Sequence, residues 1–455
     1  MTTEMSSMMR NPLPPISNTH RISTQQLDVP LRTLLGTGPS NVPSRVLQAL
    51  GTQVVGSDDV AFQHVLHDVQ ELLRYVWQTD NECTFAFAGG EQAALEAAIA
   101  SVLQPGDVIV VGDSGQHSER IERLARGYGV TVKRLDRKDD GIVQLDDIRS
   151  VLETHRPTLL ALVHGDLATG ALQPLDGVGA LCRKHDVLLM VDTIGSLGAT
   201  PVYVDAWGID ICYSTVDKCL SAVPGLSLIT ANERALERMR QRPADNVPAQ
   251  CLQITQLAEA WLSADYAADL LPVNLVYALR EALRIIADEG LVECWQRHRN
   301  NAELLWFGLE DLHIACPVAL AHRLPSLTVV NMPAGVDSNA IKRHLLSHYN
   351  IAVAPSAHAQ EPATWRIGLM GYNSRAENVT LLLRASGGRI AYLPLILGYV
   401  LKRQGVTPCL FCALRYTPEK RRETRSYPSC GTICLVLHVL FGQQKPSTQR
   451  GMKDE

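Results

Sequence analysis

Lys218 lies in the stretch YSTVDKCLSAVPG, just after an apolar run and in a Ser/Thr-flanked turn closed by Pro224-Gly225. An amine so placed can form an imine with an aldehyde, provided an apolar pocket favours its neutral form. A solvated surface lysine is the plain alternative. Asp192 stands at the carboxyl end of the apolar run 187–191. Ligands of parallel α/β sheets bind at that edge. A carboxylate there can keep a pyridinium nitrogen protonated, which lets a cofactor ring draw electrons from a substrate Cα. Capping of the next helix is the competing reading. The third element is Gly89-Gly90-Glu91-Gln92, between an apolar run and a helical stretch. A small-residue turn into a helix N-terminus presents backbone N–H groups to an anion such as a phosphate, although most Gly-Gly turns are only turns. An anion turn, a ring-nitrogen carboxylate and an amine, in that order, form a stronger pattern than any one of them.

The elements that must position these residues are legible in the periodicity. Short apolar runs occupy residues 83–87, 108–111, 131–135, 159–163, 187–191, 211–213 and 226–230. Amphipathic helical stretches lie between them at 92–102, 119–128, 145–154 and 177–185. Strand–helix alternation of this kind predicts an α/β domain with a mostly parallel sheet covered on both faces. Residues 274–290 (NLVYALREALRIIADEG) predict a helix stopped by Gly290. Beyond it, strands at 327–332 and 351–353 flank a helix at 339–348, which reads as a smaller α+β domain. The expected organisation is an N-terminal arm over 1–28, a large domain over 29–285, a small domain over 286–385 and an atypical, disordered tail over 386–455.

The chain has 455 residues, 46% of them hydrophobic and 20% charged, with a net charge of −5. That length suggests two domains plus extensions. The slightly acidic balance gives no electrostatic footprint for nucleic acid. The longest apolar runs, 391–401 and 433–441, are shorter than the roughly 20 residues of a membrane span, so neither nucleic acid nor a membrane is an expected partner. Eleven cysteines without framework spacing fit reduced thiols in an intracellular compartment. The first residues, MTTEMSSMMRNPLPP, lack the apolar core of a secretory signal. The last, GMKDE, are not an S-K-L address. Peroxisomal, mitochondrial and cytosolic locations all stay open.

In these stretches the sequence resembles the alanine–glyoxylate and serine–pyruvate aminotransferases, a class V branch of the aspartate-aminotransferase-like pyridoxal 5'-phosphate (PLP) fold, fold type I. The resemblance rests on GTGPSNVPSRVLQAL (36–50), ALEAAIASVLQPGD (94–107), HGDLATGALQPLDG (164–177), LLMVDTIGSLGATPVYVDAWGIDICYS (188–214), PGLSLIT (224–230), HRLPSLTVVNMPAGVD (322–337) and WRIGLMGYN (365–373). It runs collinearly over about residues 30–383. It implies that Lys218 carries the cofactor PLP and that Asp192 pairs with its ring nitrogen. It further implies that Gly89, Gly90, Glu91 and Gln92 form the phosphate turn and that Asp217 flanks it. Arg366 would bind the substrate carboxylate, a task suited to a planar guanidinium fork, and the turn holding Gly38 and Asn41 would line the substrate pocket. Family members are homodimers with active sites at the subunit interface and an N-terminal arm crossing to the partner. The implied reaction moves an amino group from alanine or serine to glyoxylate or pyruvate, the chemistry of glyoxylate detoxification. Small amino acids and 2-oxo acids would then be the substrates.

The sequence departs from the family pattern in four respects. His117 stands where a tryptophan usually stacks on the cofactor ring. The phosphate turn, usually Ser-Gly-Ser-Gly/Ala-His, reads Ala88-Gly89-Gly90-Glu91-Gln92, and Asp217 replaces the usual glutamine before the lysine. If Glu91 and Asp217 faced a phosphate dianion, each would repel it by about 1 kcal/mol or more; the alternative is that they point outward. Leu167 replaces a serine near the cofactor, and residues 266–270 (YAADL) replace a Tyr-His-His-Thr segment that reaches the neighbouring subunit's phosphate. Two readings therefore stand beside the first: a 3-hydroxykynurenine-type transaminase, and a pseudoenzyme with weakened cofactor binding. In the tail, Cys409, Cys412, Cys430 and Cys434 have zinc-like spacing, but lie in no ribbon or finger context. No metal site is expected.

Overall fold

The computed structural model describes residues 17–56, 58–138, 140–242, 252–262, 271–333, 336–355 and 364–386. The tail with its four spaced cysteines, residues 1–16 of the arm and residues 266–270 lie outside them.

A seven-stranded sheet forms the larger part. Its strands are β2 (Cys83–Ala88), β3 (Val108–Gly112), β4 (Thr131–Leu135), β5 (Leu159–Val163), β6 (Leu188–Asp192), β7 (Ile211–Thr215) and β8 (Leu226–Ala231), in the spatial order β2-β8-β7-β6-β5-β3-β4. All neighbours are parallel except β8, which runs antiparallel to both β7 and β2. The predicted mostly parallel sheet is what the chain forms. Every residue of β5, β6, β7 and β8 is buried, as strands covered on both faces must be.

The helices around the sheet follow from the apolar spacing and from identifiable stops. After α1 (Ser44–Leu50) and α2 (Val60–Trp77), α3 (Glu91–Val102) begins at Gly90, and α4 (Gln116–Gly127) begins three residues before the predicted start. The predicted helix at 274–290 is Val273–Glu289. Gly290, at φ +92°, stops it, and a second helix, Leu291–Asp311, starts at once. That helix was not expected. Nor was Val60–Trp77, whose buried Phe62, Leu66, Val69, Leu73 and Val76 recur at three- and four-residue spacing.

A second, four-stranded sheet has the order β1-β10-β11-β9, from β1 (Thr33–Leu35), β9 (Leu327–Asn331), β10 (Ile351–Pro355) and β11 (Thr364–Gly368). β10, β11 and β9 are antiparallel neighbours, and β1 joins parallel to β10. Thr33–Leu35 was placed with the large domain on sequence and instead extends the sheet of the small one. Asn41 explains how this is held: its side chain accepts from Leu34 N at 2.8 Å and donates to Arg32 O at 2.8 Å.

Candidate active site

β6 and β7 are neighbours in parallel register, with Asp192 opposite Tyr213. Both strands end at the same sheet edge, and Lys218 lies three residues beyond Thr215, the last residue of β7. The topology therefore brings Asp192 and Lys218 to one edge, where parallel sheets bind ligands. Glu91, at the start of α3, feels the charges of both. The predicted anion turn, ring-nitrogen carboxylate and amine are one cluster.

The Lys218 side chain is only 13% exposed, and its ammonium donates to Asp217 Oδ2 at 3.2 Å. Its loop is fastened from both sides. Ser40 N donates to Asp217 O at 2.8 Å, Ser40 Oγ to Ser221 Oγ at 2.9 Å, and Tyr372 N to Ser221 Oγ at 2.8 Å. Gly38 lies directly on the lysine; a Cβ there would stand 2.7 Å from Nζ. Its φ of +108° also favours glycine. The family resemblance places Ser40 in the pocket-lining turn but gives no role to its bonds, and Ser221 has no role on sequence.

Asp192 is fully enclosed, and burial pushes its carboxyl up to about 6, against the His117 charge and the Ile194 N–H, which donates at 2.8 Å. Buried Tyr213 lies against it and is driven well above the ordinary phenol range by burial first, then by the Asp192 charge. A cation beside a buried carboxyl of this kind favours its ionised form.

His117 sits between two carboxylates, with Nε2 3.5 Å from Glu91 Oε1 and Nδ1 3.5 Å from Asp166 Oδ1. Burial works against its charge, but Asp166 and Glu91 outweigh it and lift the imidazole to about 10. For Glu91, burial raises the carboxyl, and His117, Arg120 and Lys218 more than reverse this, bringing it down to about 2. Glu91 also pairs with Arg120 of α4. It therefore turns towards His117 and Arg120, within the site, and not outward. Asp166 was missed on sequence. Its only local signal is the turn it forms, in which Oδ1 accepts from Ala168 N at 2.8 Å.

The remaining expectations divide. Gly89, at φ +152°, and Gly90 form the entry to α3, and Gln92 follows in its first turn. A Cβ at Gly90 would meet nothing within 4 Å, so there is open space beside this turn. The hydroxyl of Thr215, buried at the end of β7, has no protein hydrogen-bond partner among the described residues. Leu167 is buried, packed over Gly195. Asn41 is spent on the backbone of β1, as above, and its amide does not present both ends to a substrate. Arg366 is half-buried on β11, paired with Ala354 and Val329, and its Nε donates to Pro355 O at 3.0 Å. Gly368 of the same strand abuts Gly36, so β11 is docked onto the turn that carries Gly38.

These residues fit a phosphorylated pyridine aldehyde. A shielded amine can take the aldehyde, a buried carboxyl can take the ring nitrogen, and a helix N-terminus with a spare buried hydroxyl can take the phosphate. Among the described residues no group of His, Cys, Asp and Glu could hold a metal ion, and no helix is long and apolar enough to cross a membrane.

Comparison with known proteins bears on the same region. Residues 33–382 match the family described as aminotransferase class V. The alanine–glyoxylate aminotransferase of Mus musculus is 36% identical over 375 residues, 82% of this chain and 90% of that protein. The (S)-ureidoglycine–glyoxylate transaminase of Bacillus subtilis is 31% identical over 376 residues, 79% of this chain and 90% of that protein. Among solved structures, an alanine–glyoxylate aminotransferase from Nostoc sp. superposes with a TM-score of 0.79 at 45% identity, covering 82% of this chain and 99% of that one. A pyridoxamine–pyruvate aminotransferase from Mesorhizobium loti gives 0.75 at 25% identity, covering 82% and 97%.

Proposed function

Because this chain belongs to the class V aminotransferase family, we propose that it transfers an amino group from alanine or serine to glyoxylate or pyruvate, using PLP carried on Lys218. Transamination is the activity named for the family and for the similar relatives. The choice of substrates follows the relatives named for glyoxylate. The observation that carries the reading is the meeting of Lys218, Asp192 and the start of α3 at one sheet edge.

PLP, when bound, supplies an aldehyde and an electron-accepting ring that makes an amino acid's α-proton acidic. The chain's own residues do the rest. The Lys218 amine would anchor the aldehyde and, when free, would take the α-proton on Nζ as general base. Asp192, its carboxyl raised to about 6 by burial, would hold a positive ring nitrogen by charge once ionised. Backbone N–H groups at the start of α3 and the Thr215 hydroxyl are suited to the phosphate. The Arg366 fork would orient the substrate carboxylate. Gly38, by lacking a side chain, lets its turn pack directly against the Lys218 amine.

A homodimer is part of this proposal. Ile22, Leu27 and Leu31 are 77%, 88% and 90% exposed along an extended arm. An apolar arm of that kind is suited to burial on a second copy.

The test is direct. Purified protein mixed with PLP turns yellow, and with alanine and glyoxylate forms pyruvate and glycine. The Lys218→Ala variant stays colourless and inactive. Failure of the unaltered protein to take up PLP, or uptake without transfer from alanine or serine, contradicts the proposal.

A further inference from the structure

Two of the departures from the family pattern, Glu91 in the phosphate turn and His117 at the stacking position, touch each other. The imidazole has carboxylate oxygens within ion-pair distance on both sides, Glu91 Oε1 from α3 and Asp166 Oδ1 from the loop after β5, each at 3.5 Å; the buried Nδ1 makes no aligned hydrogen bond at that distance. A carboxylate can only accept, so an imidazole that faces one through each nitrogen complements both when each nitrogen carries a proton. Arg120, one turn along α4 from His117, pairs with the same Glu91 oxygen, Oε1. Asp166 is itself fixed, accepting from Ala168 N at 2.8 Å and from the Thr169 hydroxyl.

We propose that Glu91 and Asp166 form a two-carboxylate clamp on His117, making Glu91 a positioning residue for the ring wall of the cofactor site and not a phosphate ligand. The inference rests on the PLP reading above. A tryptophan stacks by its area alone, whereas a small imidazole needs its plane fixed; the clamp supplies that. Glu91 and His117 are on this account one paired change: the histidine brings a positive charge, and the carboxylate both balances it and is drawn away from the phosphate. The charged groups facing the imidazole are Glu91, Asp166 and Asp192, and burial is the opposing effect. The first two favour the cation strongly enough to keep it at neutral pH.

Two measurements test this. On cofactor-free protein, long-range proton–nitrogen NMR at about pH 8, with the signal assigned through His117→Phe, reads the ring's protonation. The expected result is a doubly protonated His117 in the unaltered chain and a singly protonated one in Glu91→Gln. A singly protonated ring in the unaltered chain overturns the clamp. This arm needs no PLP, so it stands apart from whether the chain binds the cofactor. In the second, PLP affinity is titrated by fluorescence. Glu91→Gln weakens it about threefold or more, and the same change in a His117→Phe background does not weaken it. An affinity unchanged or tightened by Glu91→Gln alone makes Glu91 a phosphate-repelling residue and overturns the proposal.

Discussion

Gly38 and Lys218 are in van der Waals contact, with no space between them for even a methyl group: a Cβ on Gly38 would fall 2.7 Å from the lysine Nζ and closer still to Cδ. Both sit on turns tied together by Ser40, which donates to the Asp217 carbonyl. The Gly38→Ala variant is therefore expected to displace the lysine. It adds strain as well, because φ at this position is +108°. PLP uptake should fall at least about tenfold, which is only about 1.4 kcal/mol, while circular dichroism shows the fold retained. Absorbance titration with PLP is the check.

Asp192 carries a pH dependence whose sign is fixed by its burial. Its carboxyl is raised from 3.8 to about 6. The stability this contributes to cofactor-free protein is full below the unfolded value near pH 4 and lost as pH rises through about 6. The loss amounts to about 3 kcal/mol. A cation bound beside the carboxylate offsets it. Thermal stabilisation by PLP should therefore grow between pH 5 and pH 7 in the unaltered protein and stay nearly flat in Asp192→Asn, as read by melting temperature with and without cofactor.

His117 and Glu91 act at opposite ends of the pH range. The imidazole is raised from 6.5 to about 10, so its contribution is fully present below about pH 6.5 and lost as pH rises through about 10. Glu91 is lowered from 4.5 to about 2; its contribution is present above about 4.5 and lost as pH falls through about 2. Melting temperature of His117→Phe should accordingly change less between pH 7 and pH 10 than that of the unaltered chain. Equal slopes for the two proteins would contradict the assignment.

Arg366→Lys separates substrate binding from cofactor binding. Lysine keeps the charge but loses the two-pronged geometry. KM for alanine should rise by about tenfold or more, the equivalent of one charge-assisted hydrogen bond, with PLP affinity unchanged. Steady-state kinetics beside a PLP titration give both numbers.

Much of the frame was legible because its signals are local. The runs that become β5 and β6 are continuously apolar, since helices cover both faces, and Gly290 stops its helix as expected. Val60–Trp77 carried the same kind of signal and was readable from Phe62, Leu66, Val69 and Leu73. β11 was not: TWRIG is too short for a period, and its identity comes from pairing with β9 and β10. The pairing of Thr33–Leu35 with Ile351–Val353 is likewise invisible in either segment alone. In the site, Gly38 entered through the family resemblance, whereas Lys218 and Asp192 announce themselves by type and position. Asp166 does not, because its contact with His117 depends on how the loop after β5 meets the start of α4. Glu91 was legible as a departure but not as a partner, since the direction of its side chain is set by Arg120 and His117 on another helix.

The central claim is that the ε-amine of Lys218 is where the chain holds PLP. Borohydride reduction of the PLP-loaded protein fixes any such linkage permanently, and peptide mass spectrometry then locates it. The account predicts a single reduced pyridoxyl-phosphate adduct, on the peptide spanning Lys218. An adduct on another lysine, or none in a protein that has taken up PLP, would contradict it.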